Sequence, residues 1–400
     1  MIQKIKLTET FKEFFENERS AGMMLIICSI LSLIIANSVF SAAYLDFWKI
    51  NFGGLTISYW VNDGLMAVFF LLIGLELKRE LYKGELSNFK NALLPIFAAL
   101  GGIILPSVLH YYFNAGLPTQ KGFGIPMATD IAFALSVLAL LGSRAPASLK
   151  IFLTAVAVID DLCAIIIIAI FYTSKLSLFY LALSLGVFGI LAVFNRLRIY
   201  SLIPYLIGGA LMWFLMLQSG VHATIAGVLL AFTIPFTAIR DDKESPSYIL
   251  EHFLHKPVAF FIMPVFALAN TGIIIGATWA MSLTTPNSLG IITGLLFGKV
   301  LGVSIFSFVA VKAGICRLPL SLNWKHIVGA GLLAGIGFTM SIFITNLAYK
   351  TDAELANSSI MAVLLTSLVS GTIGYIWLML FGSTSDPEEN FETMSYDDEV

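Results

Sequence analysis

Charge is scarce in this sequence. Only 12% of the 400 residues are Asp, Glu, Lys or Arg, about half the roughly 25% usual in soluble domains. The 23 basic and 25 acidic side chains leave a net charge of −2. Without a cationic excess there is nothing to meet phosphates, and a nucleic-acid partner is excluded. Cysteine is rarer still. Cys28, Cys163 and Cys316 stand far apart, with no CxxC spacing and no neighbouring His cluster, so neither a disulfide framework nor a thiolate metal centre is expected. No cofactor is expected either. A cleavable signal is absent as well: residues 4–19 are charged throughout, and no small-residue cleavage pattern follows the first apolar run. That run is read as a retained helix.

What the chain has instead is apolar bulk. Residues of the AVILMFWYC set make up 58% of it, with 32 Phe, far more than a soluble surface with so little charge could cover. Twelve apolar segments are read, near 21–40, 59–80, 92–112, 122–142, 148–172, 178–194, 202–217, 221–236, 257–276, 289–311, 326–347 and 357–381. Each is about long enough to cross a ~30 Å hydrocarbon core as a helix, and none shows the strict alternation of a barrel strand. With the N-terminus inside, and basic residues at span ends counted with the adjoining loops, alternate connections carry 18 Lys and Arg on one side and four on the other, Lys299 alone lying deep within a span. That bias puts both termini in the cytoplasm. The expected fold class is therefore an all-α polytopic membrane protein of twelve transmembrane helices. Residues 1–20 form an N-terminal interfacial helix with Phe11, Phe14 and Phe15 on one face. Residues 21–381 form the twelve-helix membrane domain. Residues 382–400, with seven acidic side chains and no basic one, form a solvated cytoplasmic tail.

The informative residues are ionisable groups inside the spans, each costing roughly 2.5–3.5 kcal/mol near the bilayer centre on insertion scales. They are Asp130 in the fourth span, Asp160 and Asp161 in the fifth, Lys299 in the tenth and His222 at the start of the eighth, with Asp63 one turn into the second. The adjacent carboxylates of Asp160 and Asp161 point about 100° apart on a helix, so one can meet a cation while the other meets a basic partner. Lys299 is the one intramembrane Lys or Arg available to them. A static ion pair would account for Lys299 and one carboxylate, but not for the other two. Carboxylate oxygens suit hard cations such as Na⁺ and Li⁺, and burial makes a carboxylate easier to protonate. One site can then hold either a proton or a metal ion. Pro126 precedes Thr129 and Asp130 in the fourth span, while Gly331, Gly335, Gly337, Thr339 and Ser341 weaken the eleventh. Two interrupted spans, each the middle member of a three-helix group (3–5 and 10–12), point to inverted repeats with a site where crossed, discontinuous helices 4 and 11 meet.

Several long motifs resemble one family in order: YWVNDGLMAVFFLLIGLELKREL (59–81), GIPMATDIAFAL (124–135), the IDDL core within 149–172, VHATIAG (221–227) and GIGFTMSIFI (335–344). The resemblance, to the NhaA sodium–proton antiporters, runs from about residue 10 to 382. It implies a twelve-helix inner-membrane protein that exchanges Na⁺ or Li⁺ for H⁺. Asp161 would be the main cation- and proton-binding carboxylate and Asp160 its partner. Lys299 would pair with Asp160 in the cation-free site, and Thr129 and Asp130 would assist at the broken helix. Asp63 would carry structural weight. Residues 44–58 would form an external hairpin contributing to a homodimer. A cytoplasmic pH-response cluster would map to Glu76, Arg79, Glu80, Glu251, His252 and His255, with His222 more distant. The sequence departs from the family at Tyr248 and Ile249, where basic residues are common, at Lys256-Pro257, where Pro-Trp is usual, and at Cys163, where Gly is commoner.

The expected activity is electrogenic, pH-regulated cation–proton exchange, not enzymatic turnover. Three rival activities would each need features of their own. An ion-coupled symporter of an organic solute would need a larger polar pocket near the crossing. An intramembrane aspartyl protease would need a proton-sharing dyad, for which Asp130 and Asp161 are the candidate pair, but no GxGD motif occurs and Lys299 would disturb the shared proton. A passive channel would need repeated charges or filter-like carbonyls. Whether Asp160 or Lys299 carries a second proton stays open at this level.

Overall fold

A computed structural model of the chain describes residues 2–173, 176–236 and 245–382. The acidic tail beyond Gly382, and the side chains of residues 1–18 that were expected to form an amphipathic face, lie outside the described residues. The backbone of residues 2–18 is helical, continuous with the first apolar run as Ile2–Ala36. Almost everything else is helix too, as it must be where no water is present to hydrogen-bond a bare backbone.

Among the described residues, eight helices are long and apolar enough to cross a membrane, and two bent pairs bring the number to ten. The chain is thus a multi-pass, all-α membrane protein. The remaining two expected spans are shorter. Ile203–Ser219 has 17 residues and Ile225–Thr233 only nine, which at 1.5 Å per residue covers ~13 Å. A second difference concerns Pro246–Asn270, which begins about eleven residues before the expected edge. Pro257 does not stop that helix, which continues through a wide π-turn over Val258–Ile262. Glu251, His252 and His255 therefore sit on the first turns of a long helix, not on a loop.

Helix starts follow local chemistry. Asn88, Ser245, Thr285 and Asp352 each accept a backbone N–H of the following turn, and Asn323 forms a reciprocal capping box with His326, satisfying donors that a helix start leaves bare. The segment after the first span is a helix, Ser41–Lys49, followed by a two-stranded hairpin pairing Asn51 with Thr56 and Phe52 with Leu55. Gly53 and Gly54 form its turn with φ of +63° and +87°, a conformation that favours glycine.

The chain divides into two compact units: Met1–Ile26, Asn88–Asp161 and Ile275–Val400 form one, Ile27–Ser87 and Leu162–Ile274 the other. In the first, small residues let helices approach closely. A side chain on Gly101 or Gly302 would run into the other's backbone, and Gly298 lies against Pro106. Such contacts replace the hydrophobic drive that is missing between helices in lipid. In the second unit Gly227 does the same against the carbonyl of Ala67.

Candidate functional site: buried carboxylates between two broken helices

Two segments of the first unit are broken. One runs as a tight 3₁₀ stretch, Pro118–Met127, then extended backbone, then Ile131–Leu140, with a 42° bend. The other runs as Trp324–Ala334 and Phe338–Ala348, with a 45° bend. Pro126 stands two residues before the first break and packs against Gly294. The glycines of the second break do not act as expected. Gly335 and Gly337 keep ordinary right-handed backbone, with φ of −69° and −87°. They are needed for space: a Cβ on Gly335 would stand 2.6 Å from the carbonyl oxygen of Leu295, and one on Gly337 3.0 Å from the Leu295 side chain.

A broken helix exposes bare carbonyls on one side and bare N–H groups on the other. Here each break satisfies the other. The Asp130 backbone N–H donates to the Ile336 carbonyl (2.7 Å). Thr129 Oγ1 stands 3.0 Å from the Ala334 carbonyl, which shares the one Thr129 hydroxyl proton with Asp160, and Ser341 Oγ donates to the Ile125 carbonyl (2.7 Å). The Asp130 carboxylate accepts the Phe133 N–H on Oδ1 (2.9 Å) and the Thr339 N–H on Oδ2 (3.0 Å), together with the Thr339 hydroxyl. One carboxylate thus caps the N-terminal ends of both half-helices, where negative charge is favoured.

Asp160 lies on Ala147–Phe171 with no exposure. Its Oδ2 accepts the Lys299 ammonium at 2.5 Å and the Thr129 hydroxyl at 2.7 Å. Its Oδ1 is buried with no hydrogen-bond donor among the described residues. Lys299 is equally buried and directly follows a π-turn, Gly294–Gly298. Asp161 is the next residue on the Asp160 helix, buried at 1% exposure and turned about 100° away. The structure therefore brings together Thr129, Asp160 and Lys299, keeps Asp161 beside them, and assigns Asp130 to the helix ends. Among the described residues no group of three or more His, Cys, Asp or Glu is placed to hold a metal ion; the oxygens at this site are carboxylate, hydroxyl and carbonyl oxygens, which suit a hard cation. A carboxylate in this setting can hold a proton, an ammonium or a metal ion, one at a time.

The second unit holds the other predicted residues. Arg79 pairs with Glu251 (2.8 Å) and with Glu80 (3.3 Å), and His255 Nδ1 lies 3.9 Å from Glu76. His252 is exposed and stacks on Tyr248, ring centroids 5.6 Å apart. His222 Nε2 donates to the Tyr172 carbonyl (2.9 Å), apart from that cluster. Asp63 sits in a π-turn, Trp60–Leu65, and its main-chain carbonyl accepts the Trp213 indole N–H (3.0 Å).

Two features escaped the sequence reading. Lys78 counted there as a loop charge, yet it is 3% exposed. Its ammonium donates to the carbonyls of Ala231 (3.3 Å), Phe232 (3.1 Å) and Ile234, closing the C-terminal end of Ile225–Thr233. The signal was present: Leu77-Lys78 continues an apolar face, and a short partner helix needs its last carbonyls closed. A buried polar group also joins His110, Asn287, Tyr349 and Ser359. Asn287 Oδ1 accepts from Tyr349 (2.7 Å), lies 3.2 Å from His110 Nε2, and its amide donates to Ser359 (2.7 Å). No local motif announced it.

Residues 12–378 match the family described as Na⁺/H⁺ antiporter 1. A Na⁺/H⁺ antiporter NhaA of Dechloromonas aromatica is 66% identical over 377 residues, covering 94% of this chain and 97% of its own. One from Flavobacterium johnsoniae, NhaA 1, is 56% identical, covering 95% and 99%. The Helicobacter pylori NhaA is 44% identical, covering 94% and 96%. With similarity this complete, carried through both breaks and the buried carboxylates, the chain belongs to the Na⁺/H⁺ antiporter 1 family.

Proposed function

We propose that this protein exchanges Na⁺ or Li⁺ for protons across the inner membrane by alternating access. Twelve membrane passages, both termini in the cytoplasm, and inverted repeats of helices 3–5 and 10–12 with crossed helices 4 and 11 complete the reading. The mutual capping of the two breaks supports the crossing. The observation that carries the function is the buried set Thr129–Asp160–Lys299 with Asp161 next in sequence. Asp161 is the main cation- and proton-binding group. Asp160 is held by the Lys299 ammonium when no metal ion is bound, and Thr129 steadies its Oδ2.

Facing the cytoplasm, the deprotonated site takes Na⁺. The protein rearranges, releases the ion outside, takes up protons and returns. With two protons per Na⁺, one net positive charge enters per cycle, worth about 2.3 kcal/mol per 100 mV, so a negative-inside potential drives Na⁺ out. The cluster of Glu76, Arg79, Glu80, Glu251, His252 and His255 fits a pH-response role: protonating His255 adds a positive charge 3.9 Å from Glu76 and reweights an ion-pair set anchored by Arg79. The hairpin of residues 44–58 fits a homodimer contact.

The test uses proteoliposomes with an acid-inside pH gradient. Na⁺ and Li⁺, but not K⁺, should collapse the gradient, and Asp161→Asn should abolish the response. No collapse with any of these ions at any pH, from folded protein, would overturn the assignment and favour a solute symporter.

A further inference from the structure

The break over Gly335–Gly337 bares more groups than the first broken segment satisfies. Thr129 serves the Ala334 carbonyl and Asp130 the Thr339 N–H, leaving others to the long helix Ala353–Phe381. Ser367 Oγ accepts the Phe338 N–H (3.1 Å), and the Ser370 hydroxyl donates to the Leu332 carbonyl (2.7 Å). Both serines are buried, at 2% and 0% exposure. Three residues apart, they share one face of a helix that runs 29 residues without interruption. One serves the half-helix after the break, the other the half-helix before it.

This is not the usual behaviour of a hydroxyl in a membrane helix, which closes on a carbonyl of its own preceding turn. Ser359 and Thr372 of the same helix do that, donating to Leu355 and Leu368 (2.7 Å each). Ser367 and Ser370 reach across instead. Ser370 also fills the place a side chain on Gly335 would need, so the glycine and the serine form one fitted contact.

We propose that Ser367 and Ser370 are positioning residues of the cation site. They fix both halves of the second broken segment to a continuous helix. That holds the Ala334 carbonyl against Thr129 and the Thr339 N–H against Asp130, and through Thr129 it sets the orientation of Asp160. Neither serine touches the ion. All of these groups lie in one compact unit, so the bonds govern ligand placement rather than the rate of a rearrangement elsewhere. The inference rests on the ion-exchange reading of this site and adds to it the residues that tune its affinity.

The experiment measures initial exchange rates in proteoliposomes against Na⁺ concentration at one fixed pH. Ser367→Ala leaves the buried Phe338 N–H without an acceptor and should raise the apparent KM for Na⁺ about five- to tenfold, with the maximal rate within about twofold. Ser370→Ala should raise it only about two- to threefold, because the Leu332 carbonyl still accepts the Gly335 N–H at 3.1 Å. Ser367→Thr keeps the acceptor and should restore the wild-type KM. Ser358→Ala, whose hydroxyl bonds within its own helix to Leu355, should change neither constant. Unchanged constants in folded Ser367→Ala, or a lower maximal rate at constant KM, would overturn the proposal. If Ser367→Ala does not fold, an unchanged KM in Ser370→Ala, or a Ser367→Thr that behaves no better, overturns it as well. A wild type with no Na⁺-dependent exchange would overturn the ion-exchange reading itself, a separate result.

Discussion

Consider Lys299 replaced by Met, Asp160 by Asn, and both together. The ammonium and carboxylate lie 2.5 Å apart with neither side chain exposed. At an effective dielectric of about 20 their attraction is roughly 6–7 kcal/mol before the cost of desolvating two ions. That cost is several kcal/mol per ion, so the pair as a whole contributes little net stability. Breaking it from one side is different. Lys299→Met leaves a buried carboxylate supported only by the Thr129 hydroxyl, and Asp160→Asn leaves a buried ammonium facing an amide. Each single change should cost about 3–5 kcal/mol. The double variant removes both charges and should lose about 1–3 kcal/mol, much less than the two single losses together, a coupling well above the ~0.5 kcal/mol expected of independent sites. The assay is thermal inactivation of the four purified proteins in one detergent at one pH, scored as inactivation rate because unfolding of such proteins is irreversible. Losses that simply add would refute the reasoning, since they would mean that the two charges are screened from each other by water in the working protein. Transport adds a second readout: if Lys299→Gln exchanges and stays electrogenic, Lys299 is not the obligatory carrier of a second proton.

Two further substitutions follow from observed capping. Lys78→Met keeps the apolar stem but deprives three carbonyls of their donor; it should lower stability by about 1–3 kcal/mol, while transport by the surviving folded fraction keeps its Na⁺ dependence, as a melting curve and a flux assay on the same sample would show. Asp130→Asn turns an NH₂ towards the N–H of either Phe133 or Thr339 and removes the negative charge shared by two helix ends; a loss of about 2–3 kcal/mol is expected, and an unchanged inactivation rate would count against its capping role.

Much of the fold was legible because lipid permits so few solutions. Apolar length, loop charge and the cost of intramembrane ions select helices and mark Asp130, Asp160, Asp161 and Lys299 without reference to any relative. Pairing came only from the resemblance, which implied that Lys299 meets Asp160, and not from the residues themselves. Nothing local says that Lys299 reaches Asp160 while Asp130 faces Thr339, because a side chain's partner depends on packing between segments more than a hundred residues apart. Helix edges failed for a similar reason. Pro257 looks like a stop, yet a π-turn carries the helix past it, and Ile225–Thr233 keeps only nine residues, its last carbonyls closed by Lys78.

The glycines mark the second break through close packing and not through backbone freedom. Gly335 and Gly337 suggest a helix weakened by backbone freedom, but their φ values are those of any residue. The break is held open by what fills the space around it: the Leu295 carbonyl and Ser370 against Gly335, Ser341 against Gly337. An interruption maintained by backbone freedom would tolerate alanine at a modest cost of conformational entropy. One maintained by close contact would not, because a methyl 2.6 Å from a carbonyl oxygen must move either Leu295 or the half-helix that ends beside Thr129. The small residues at the second break are therefore part of the geometry that aims Thr129 at Asp160.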